Sequence, residues 1–542
     1  MEIKIKINKS KFWQFYKISN CKLWIRGSFN SRKIDQVLNN LNKIKKSKIK
    51  DFLKTLDGHF AFIFINKNYC LIAIDRIRST PLHLSKIDGD IYVSDLSHTI
   101  VKSKNFIKKI NKDSVREISM GGFTIGSKSI YSNLITPIAG EYILIENDTI
   151  IKNTYFSYFG KLSKKKYDSL LKELTDITLL IFKRLLRQVG SRQIVVPLSA
   201  GNDSRLVVSI LFHLGAKNVK CYSYGQRGNF ESKVSKLIAK KLNYEWIFVP
   251  LTHNSERKFY NSNDYKDFLK FSENHTSIPF IQSISTFKFL QEKNFIDKDC
   301  VFVNGNSGDF LSGCHINKLY QNLLKFDKNQ TLKDLILDQL IHKHFSLWGY
   351  MKTKKNITEI KNQLWNSITK HCNNLNIENA HLFYEYSEFI DRQSKYVISG
   401  QRVYEFYDYD WKLPLWDDEY IFFWKKVPSK YKYKQTMYLD MLKRNNFGGV
   451  WDNSLPVNSY KISPKWIIPI RFIFKLPFGL IGPFGKKLWH QFDTSVFRYW
   501  IDPILIICST SYNEILKDIF KKPRNAISWL SKNYLKNFNL NQ

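Results

Sequence analysis

The chain has 542 residues and a formal net charge of +38 at pH 7, from 85 Lys and Arg against 47 Asp and Glu. Its 43% hydrophobic and 24% charged residues suit an ordinary globular protein, long enough for two or more domains, and exclude a disordered or collagen-like chain. Seven cysteines without a CxxC pair exclude a zinc-ribbon spacing and a disulfide framework, so a reducing cytoplasm is the expected compartment.

Such a charge would suit nucleic acid, an acidic membrane surface or an acidic substrate. Yet Lys, Asn, Ile, Phe and Tyr are abundant together, and all five have A/T-rich codons. The lysines are scattered, with short clusters at Lys43–Lys50 and Lys161–Lys166. Compositional drift therefore explains the charge better than a dedicated nucleic-acid surface.

Taken in chain order, the N-terminal "MEIKIKINKSKFW" alternates Ile with Lys and leads into no apolar run, which predicts no signal peptide. The part that follows is β-rich. Strands are predicted at His59–Ile65, Tyr69–Ile74 and Ile91–Asp95, and a hairpin in "EYILIENDTIIKNTYF" from Glu141. Helical spacing stands out only in "IDQVLNNLNKI" from Ile34, and the glycines of "SMGGFTIGSKSIYSNL" read as turns. Phe159–Lys166 reads as a linker. Tyr167–Val189 then repeats apolar residues at three and four, as a long amphipathic helix does.

After it the pattern alternates. "QIVVPLS" is a strand, "SRLVVSILFHLG" a helix ended by Gly215, "VKCYSYG" a strand, "ESKVSKLIAKKLN" a helix and "EWIFVPL" a strand. Two βαβ steps predict a parallel sheet covered by helices. From Asp264 onward the chain is mostly helical and aromatic. Its most hydrophobic stretch, Trp466–Phe484, holds Arg471, Lys475 and three prolines, so it is a poor membrane span. It reads as a core segment, with an interfacial patch in peripheral contact with a membrane as the alternative.

The polar turn Ser199–Ser204 follows the first strand of the alternating region and opens a helix. Parallel sheets bind ligands beyond the carboxyl ends of their strands, and a helix N-terminus offers free N–H groups to phosphate. Gly201 lets the backbone approach closely, and Ser199 and Ser204 offer hydroxyls. Asp203 would repel a bare phosphate, but fits if a divalent metal bridges it to the phosphates. No GxxxxGK[ST] P-loop occurs.

"PLSAGNDSRL" resembles the SGGxDS pyrophosphate loop of the N-type ATP pyrophosphatases, with Ala200 in place of the first glycine. "VFVNGNSGDFLSGCHI" is similar to the SGEGxDExxxGY segment of asparagine synthetases, matching at Gly305, Asp309 and Gly313. "DWKLPLWDDEY" resembles that family's ExRxPFLD segment at Pro414 and Asp417. In the first part, "LDGHFAF" with "IDRIRSTPLH", "SDLSHTIVKS" and "IYSNLITPIAGEYILI" are similar, in the same order, to stretches of the family's glutaminase domain. Together the matches run from about residue 56 to 417, and on them the chain resembles a divergent asparagine synthetase.

The resemblance implies an α/β fold: an N-terminal Ntn-hydrolase-like αββα sandwich, then an adenine-nucleotide α-hydrolase-like (HUP) parallel-sheet domain with a helical C-terminal extension. The implied bounds are 1–158 for the glutaminase-like domain, 159–166 for the linker, 167–510 for the ATP pyrophosphatase domain and 511–542 for a C-terminal tail. It implies ATP and Mg2+ as cofactors, adenylation of a carboxylate, and amide formation. Ser199, Ala200, Gly201, Asn202, Asp203 and Ser204 would hold ATP and its pyrophosphate, Asp203 and Asp309 the metal, and Val196 and Leu198 the adenosine. Lys461, with Lys465 as the alternative, would stand for the family's late catalytic lysine. The partners implied are a small-molecule or lipid-linked carboxylate and an amine or ammonia.

Several positions depart from that pattern. Position 2, where the family's glutaminase has its nucleophilic cysteine, is Glu2, and exposing Cys21 instead would need twenty residues removed. Glutamine hydrolysis is therefore expected to be lost. Arg78 stands where the family has glycine, Asn306 replaces a glutamate and cannot act as a general base, and Phe310 replaces another. Two other classes remain as alternatives: a PP-loop tRNA-modifying or RNA-binding protein, which the charge favours, and a non-catalytic scaffold.

Overall fold

Period-two alternation in the first part of the chain builds two stacked sheets. The computed structural model describes residues 2–8, 10–18, 20–326, 330–452, 454–457, 466–501 and 510–540. β2 (Trp13–Ile18), β3 (Cys21–Ser28), β4 (His59–Ile65), β5 (Cys70–Ile74), β8 (Glu141–Glu146) and β9 (Thr149–Thr154) form a six-stranded antiparallel sheet in that order. β1 (Ile3–Ile5), β7 (Asp90–Ser94) and β6 (His83–Ile87) form the second. Ala61, Ile63, Ile72 and Ile74 of the large sheet meet Leu84, Ile91 and Val93 of the small one. On its other face the large sheet presents Leu23, Ile25, Phe60, Phe62 and Phe64 to α1 (Ile34–Lys43) and α2 (Ile49–Lys54). With α3 (Ser97–Val101) on the small sheet, this is the αββα layering expected.

This part holds more helix than the sequence pattern predicts. Beyond α1, the chain forms α2, α3 and α4 (Lys112–Gly121). α4 is well signalled at its ends: the Asn111 side chain accepts from the amides of Asp113 and Ser114, and Gly122 closes it at φ 85°. Its buried face, however, carries Ser114, Glu117 and Ser119 beside Ile118 and Met120, so no apolar period shows. Glu117 is satisfied there by Lys128 and by the Ile125 amide at 2.8 Å.

The alternating region folds as expected. α5 (Tyr167–Val189) leads into β10 (Ile194–Pro197), α6 (Asn202–His213), β11 (Val219–Gly225), α7 (Phe230–Lys241) and β12 (Glu245–Pro250). β13 (Val301–Val303) and β14 (Asp410–Lys412) complete a five-stranded parallel sheet in the order β12-β11-β10-β13-β14. The chain leaves β10 toward β11 and β12, then returns to add β13 on its other side. The strand order therefore reverses between β10 and β13, the position where such sheets open a crevice.

The two parts are fused by buried polar contacts. Arg76 donates to the carbonyls of Leu56 (2.6 Å) and Lys54 (2.7 Å) and pairs with Asp418 at 2.9 Å. Asp418 also accepts from the Gly58 amide, and Asp417 takes Asn30 and Arg184. Side chains of the stretches Leu56–His83 and Asp410–Tyr420 thus join the two parts. The helix Ala526–Lys536 packs back on α4, where Ser531 donates to the Ile118 carbonyl at 2.7 Å.

One expectation is overturned. Trp466–Phe484 is not a core segment. Ten of its large apolar side chains are exposed: Trp466, Ile468, Ile470, Phe472, Ile473, Phe474, Leu476, Leu480, Ile481 and Phe484. Hydropathy reports how apolar a stretch is, not whether the fold has room to cover it. No helix among the described residues is long and apolar enough to cross a membrane.

Candidate functional site

The turn after β10 is pre-shaped by its serines. The Ser199 amide donates to Ser204 Oγ (3.0 Å), the two hydroxyls lie 3.0 Å apart, and the Gly201 amide donates to Ser199 Oγ (3.1 Å). Gly201, the residue before α6, has no side chain to cap it, so the first amides of α6, beside the cleft, carry no side-chain cap. Ala200 faces the other way. It is 1% exposed and belongs to the hydrophobic core, while its neighbours line the cleft. The methyl group that departs from the SGGxDS pattern therefore points away from the cleft. Ala200→Gly is expected to change ATP affinity by less than about two-fold, since it removes only packing behind the loop; a tenfold change by calorimetric titration would place the methyl against the phosphates.

A second loop, after β13, closes on the first. The Asp309 amide donates to Asp203 Oδ2 (2.9 Å), and Tyr438, from the helix Thr436–Asn445, donates its hydroxyl to Asp203 Oδ1 (3.0 Å). This approach requires glycine. A Cβ on Gly305 would stand 2.7–2.8 Å from the backbone of Asp203 and Ser204, and one on Gly308 would stand 2.8 Å from Asp203 Oδ1. Two carboxylates are thereby brought together. Burial first, and then the negative charge of Asp309, push Asp203 up to about 7.

Asp309 is 47% exposed on the cleft side, and behind it stands a buried chain of groups. His315 Nε2 lies 3.5 Å from Asp309 Oδ2, its Nδ1 bonds Glu388 Oε1, and Glu388 Oε2 bonds His344 Nε2 at 3.0 Å. Burial opposes charge on Asp309, but the His315 hydrogen bond and charge outweigh it and hold the carboxyl below its usual range. Burial likewise works against charge on Glu388, where the two histidines outweigh it and hold the carboxyl well down.

The cleft between these loops has a volume of about 550 Å³. Its walls include Tyr222, Ser223 and Tyr224 at the end of β11, Phe280, and Tyr404. Of the residues singled out in the sequence, Leu198, Ser199, Gly201, Asn202, Asp203, Ser204 and Asp309 line it. Val196, within β10, belongs to the hydrophobic core and does not line the cleft. Lys461 and Lys465 fall outside the described residues. Asn306 lines the cleft, its amide donating to Asn304 Oδ1 (3.1 Å).

Three further residues of the site surroundings carry no local sequence motif. Arg205, buried, donates to the carbonyls of Ala200 (2.9 Å), Leu455 (2.8 Å), Pro456 (3.1 Å) and Val450 (3.3 Å). It ties the Ser199–Ser204 turn to the carbonyls of Val450, Leu455 and Pro456. Tyr438 lies 235 residues from Asp203, and His315 lies 73 from Glu388, so no local pattern announces either. Arg205 could have been suspected, because a charged residue interrupts the apolar face of α6.

Magnesium usually keeps waters and takes one or two carboxylates plus substrate phosphates. Asp203 and Asp309 would fit that donor set. Among the described residues no cluster of three or more His, Cys, Asp or Glu could hold a metal by itself. The pair suits an ion that arrives with a nucleotide.

The first domain carries no exposed thiol among its described residues. Cys21 and Cys70 are both buried, and burial raises both, Cys70 to about 12. Position 2 is taken up by β-pairing: the Ile91 amide donates to the Glu2 carbonyl at 2.9 Å, and the Glu2 amide donates to Asp90. Arg78 has φ 60°, the left-handed conformation that glycine adopts freely. Its guanidinium donates to the Pro137 carbonyl (3.2 Å) and Thr136 Oγ1 (3.3 Å).

No family model and no curated protein matches the chain. Among solved structures, a glutamine phosphoribosylpyrophosphate amidotransferase from B. subtilis, complexed with ADP and GMP, is similar at 10% identity and a TM-score of 0.18, over 54% of this chain and 63% of its own. An NH3-dependent NAD synthetase from Campylobacter jejuni is similar at 13% identity and a TM-score of 0.20, over 39% of this chain and 99% of its own. The U34-tRNA thiolase NcsA from Methanococcus maripaludis follows at 12% and 0.18, over 41% and 79%. The chain thus spans under two thirds of the amidotransferase. At such low superposition scores, the functional reading rests on the chain's own residues.

Proposed function

We propose that this protein is an ATP-dependent carbon–nitrogen ligase that adenylates an acid and converts it to an amide. The observation that carries the reading is the meeting of Asp203 and Asp309 at the mouth of a helix N-terminus, in the crevice where the strand order reverses. In the first step a carboxylate oxygen attacks the α-phosphorus of ATP, the α–β P–O bond breaks, and pyrophosphate leaves. In the second an amine nitrogen attacks the acyl carbon, the acyl C–O bond breaks, AMP leaves, and the amine loses a proton.

The α6 amides with Ser199 and Ser204 would receive the pyrophosphate, with donors fixed before reaction. Magnesium, held by Asp203 and Asp309, would supply charge neutralisation on the leaving group. Leu198 and the tyrosines of β11 offer the apolar wall for adenosine. The buried thiols and Glu2 favour ammonia or a substrate amine over glutamine as the nitrogen source.

A second cavity of about 190 Å³ supports an acidic substrate. It is lined by Lys343, Arg392 and Arg524 together with His315 and a His344 that burial brings down to about 4, so it adjoins the Asp309 side of the cleft through His315 and sets three long cationic side chains there. Burial brings Lys343 down to about 8. Lys343→Ala is expected to raise KM for the acid about tenfold and leave KM for ATP within about two-fold, as the loss of a charged contact to one substrate would. Equal effects on both would remove the cavity from the acid site.

The testing experiment is substrate-dependent ATP–pyrophosphate exchange with a pooled library of carboxylates, small and lipid-linked. Exchange is expected with at least one acid, and amide formation with ammonium but not with glutamine. Absence of exchange across the library would favour a scaffold.

A further inference from the structure

Residues 466–496 form a helical hairpin that leaves ten large apolar side chains exposed. Its arms are the helices Ile467–Gly479 and Gly482–Val496. They are held to each other by a bidentate pair, Arg471 with Asp493 (both contacts 2.7 Å), and by an aromatic seam of Phe474, Phe478, Trp489 and Phe492. At the base, Trp466 packs edge-on against Trp500. The hairpin is therefore an organised element. Away from that seam and from Trp466 it presents the other eight exposed apolar residues named above, and these culminate at the turn between the arms, where Leu480 is 91% exposed and Phe484 63%. Contiguous exposed apolar surface of this kind marks an interaction site.

Charge decides what it meets. Lys475, Lys486 and Lys487 are exposed and interleaved with the apolar tip. The whole chain carries +38, which opposes docking of a second copy and favours a negatively charged surface. A convex tip of Leu, Ile and Phe ringed by lysines suits neither a nucleic-acid groove nor a charged protein patch. It does suit the boundary between acyl chains and anionic headgroups, where apolar groups enter and lysines reach back to phosphate. The first arm has 13 residues, about 20 Å of helix, too short to span the hydrocarbon layer.

We infer that the 466–496 hairpin docks this protein on the surface of an anionic phospholipid bilayer, inserting Leu480, Ile481 and Phe484 below the headgroups. The interaction is peripheral and reversible. Lysines near the surface contribute roughly a five-fold gain in partitioning each, weakened by salt.

Flotation of the full chain with vesicles tests this. Vesicles of phosphatidylcholine and phosphatidylglycerol in about equal parts are expected to carry the protein at low salt, and pure phosphatidylcholine vesicles to carry at least about tenfold less. The paired tip changes Leu480→Asp and Phe484→Asp, and separately Lys486→Glu with Lys487→Glu, should each reduce binding to the mixed vesicles at least about tenfold. Because these side chains are exposed, circular dichroism and elution volume should not change. The inference is overturned if the wild-type chain does not float with the anionic vesicles, or if the tip variant floats equally well. It is also overturned if the wild-type chain runs as a dimer that the tip variant makes monomeric, because the face is then a contact between copies.

Discussion

Asp203→Asn and Asp309→Asn are each expected to lower substrate-dependent ATP–pyrophosphate exchange by about 10²–10³-fold, the scale seen when a fixed electrostatic stabiliser of a leaving group is removed. The substitutions are chosen to spare the fold. Asn at 203 keeps one oxygen for the Asp309 amide, and the Tyr438 hydroxyl can turn to accept from the new NH2 group. Asn at 309 faces the open cleft. What both remove is negative charge at the meeting point of two loops, so binding of magnesium nucleotide should suffer while unfolding midpoints stay close to wild type. Calorimetric titration with ATP, with and without magnesium, separates the two. If either variant retains exchange within a few-fold of wild type, the paired carboxylates do not serve the leaving pyrophosphate.

Arg205→Ala should destabilise the protein by about 3 kcal/mol or more, because four carbonyls lose a charged donor and a buried cavity opens. The effect should also be directional. The guanidinium is the strap between Ala200 and residues 450–456, so hydrogen exchange in that segment should accelerate more than in the distant six-stranded sheet. Arg205→Lys should recover part of the stability and less of the exchange activity, since an ammonium cannot reach four acceptors in a fork. Unchanged protection at 450–456 in Arg205→Ala would separate the strap from the site.

Local chemistry explains why some elements were legible. His59–Ile65 and Val219–Gly225 were read to the residue, because β-branched and aromatic runs bounded by turns leave few alternatives. Tyr167–Val189 was equally plain, since one face buries Leu170, Leu174, Ile181 and Leu185 at helical spacing. α4 was illegible because its inward face is half polar and is paid for by Lys128 across a loop. Trp466–Phe484 was misread for the converse reason: apolar composition suggested a core that the fold does not build around it.

Within the site, the strand–turn–helix with Gly201, flanking serines and Asp203 was legible from local spacing, and Asp309 only from the resemblance of its own segment; the structure brings both to one cleft. Only the tertiary structure decided that Ala200 turns into the core, that Gly305 and Gly308 let two loops touch, and that Tyr438, Arg205 and the His315–Glu388–His344 chain support them. The physical reason is range. A turn or a helix start is settled by neighbours within a few residues. A buried charge is settled by whichever partners, up to hundreds of residues away, the packed sheet brings within hydrogen-bonding distance.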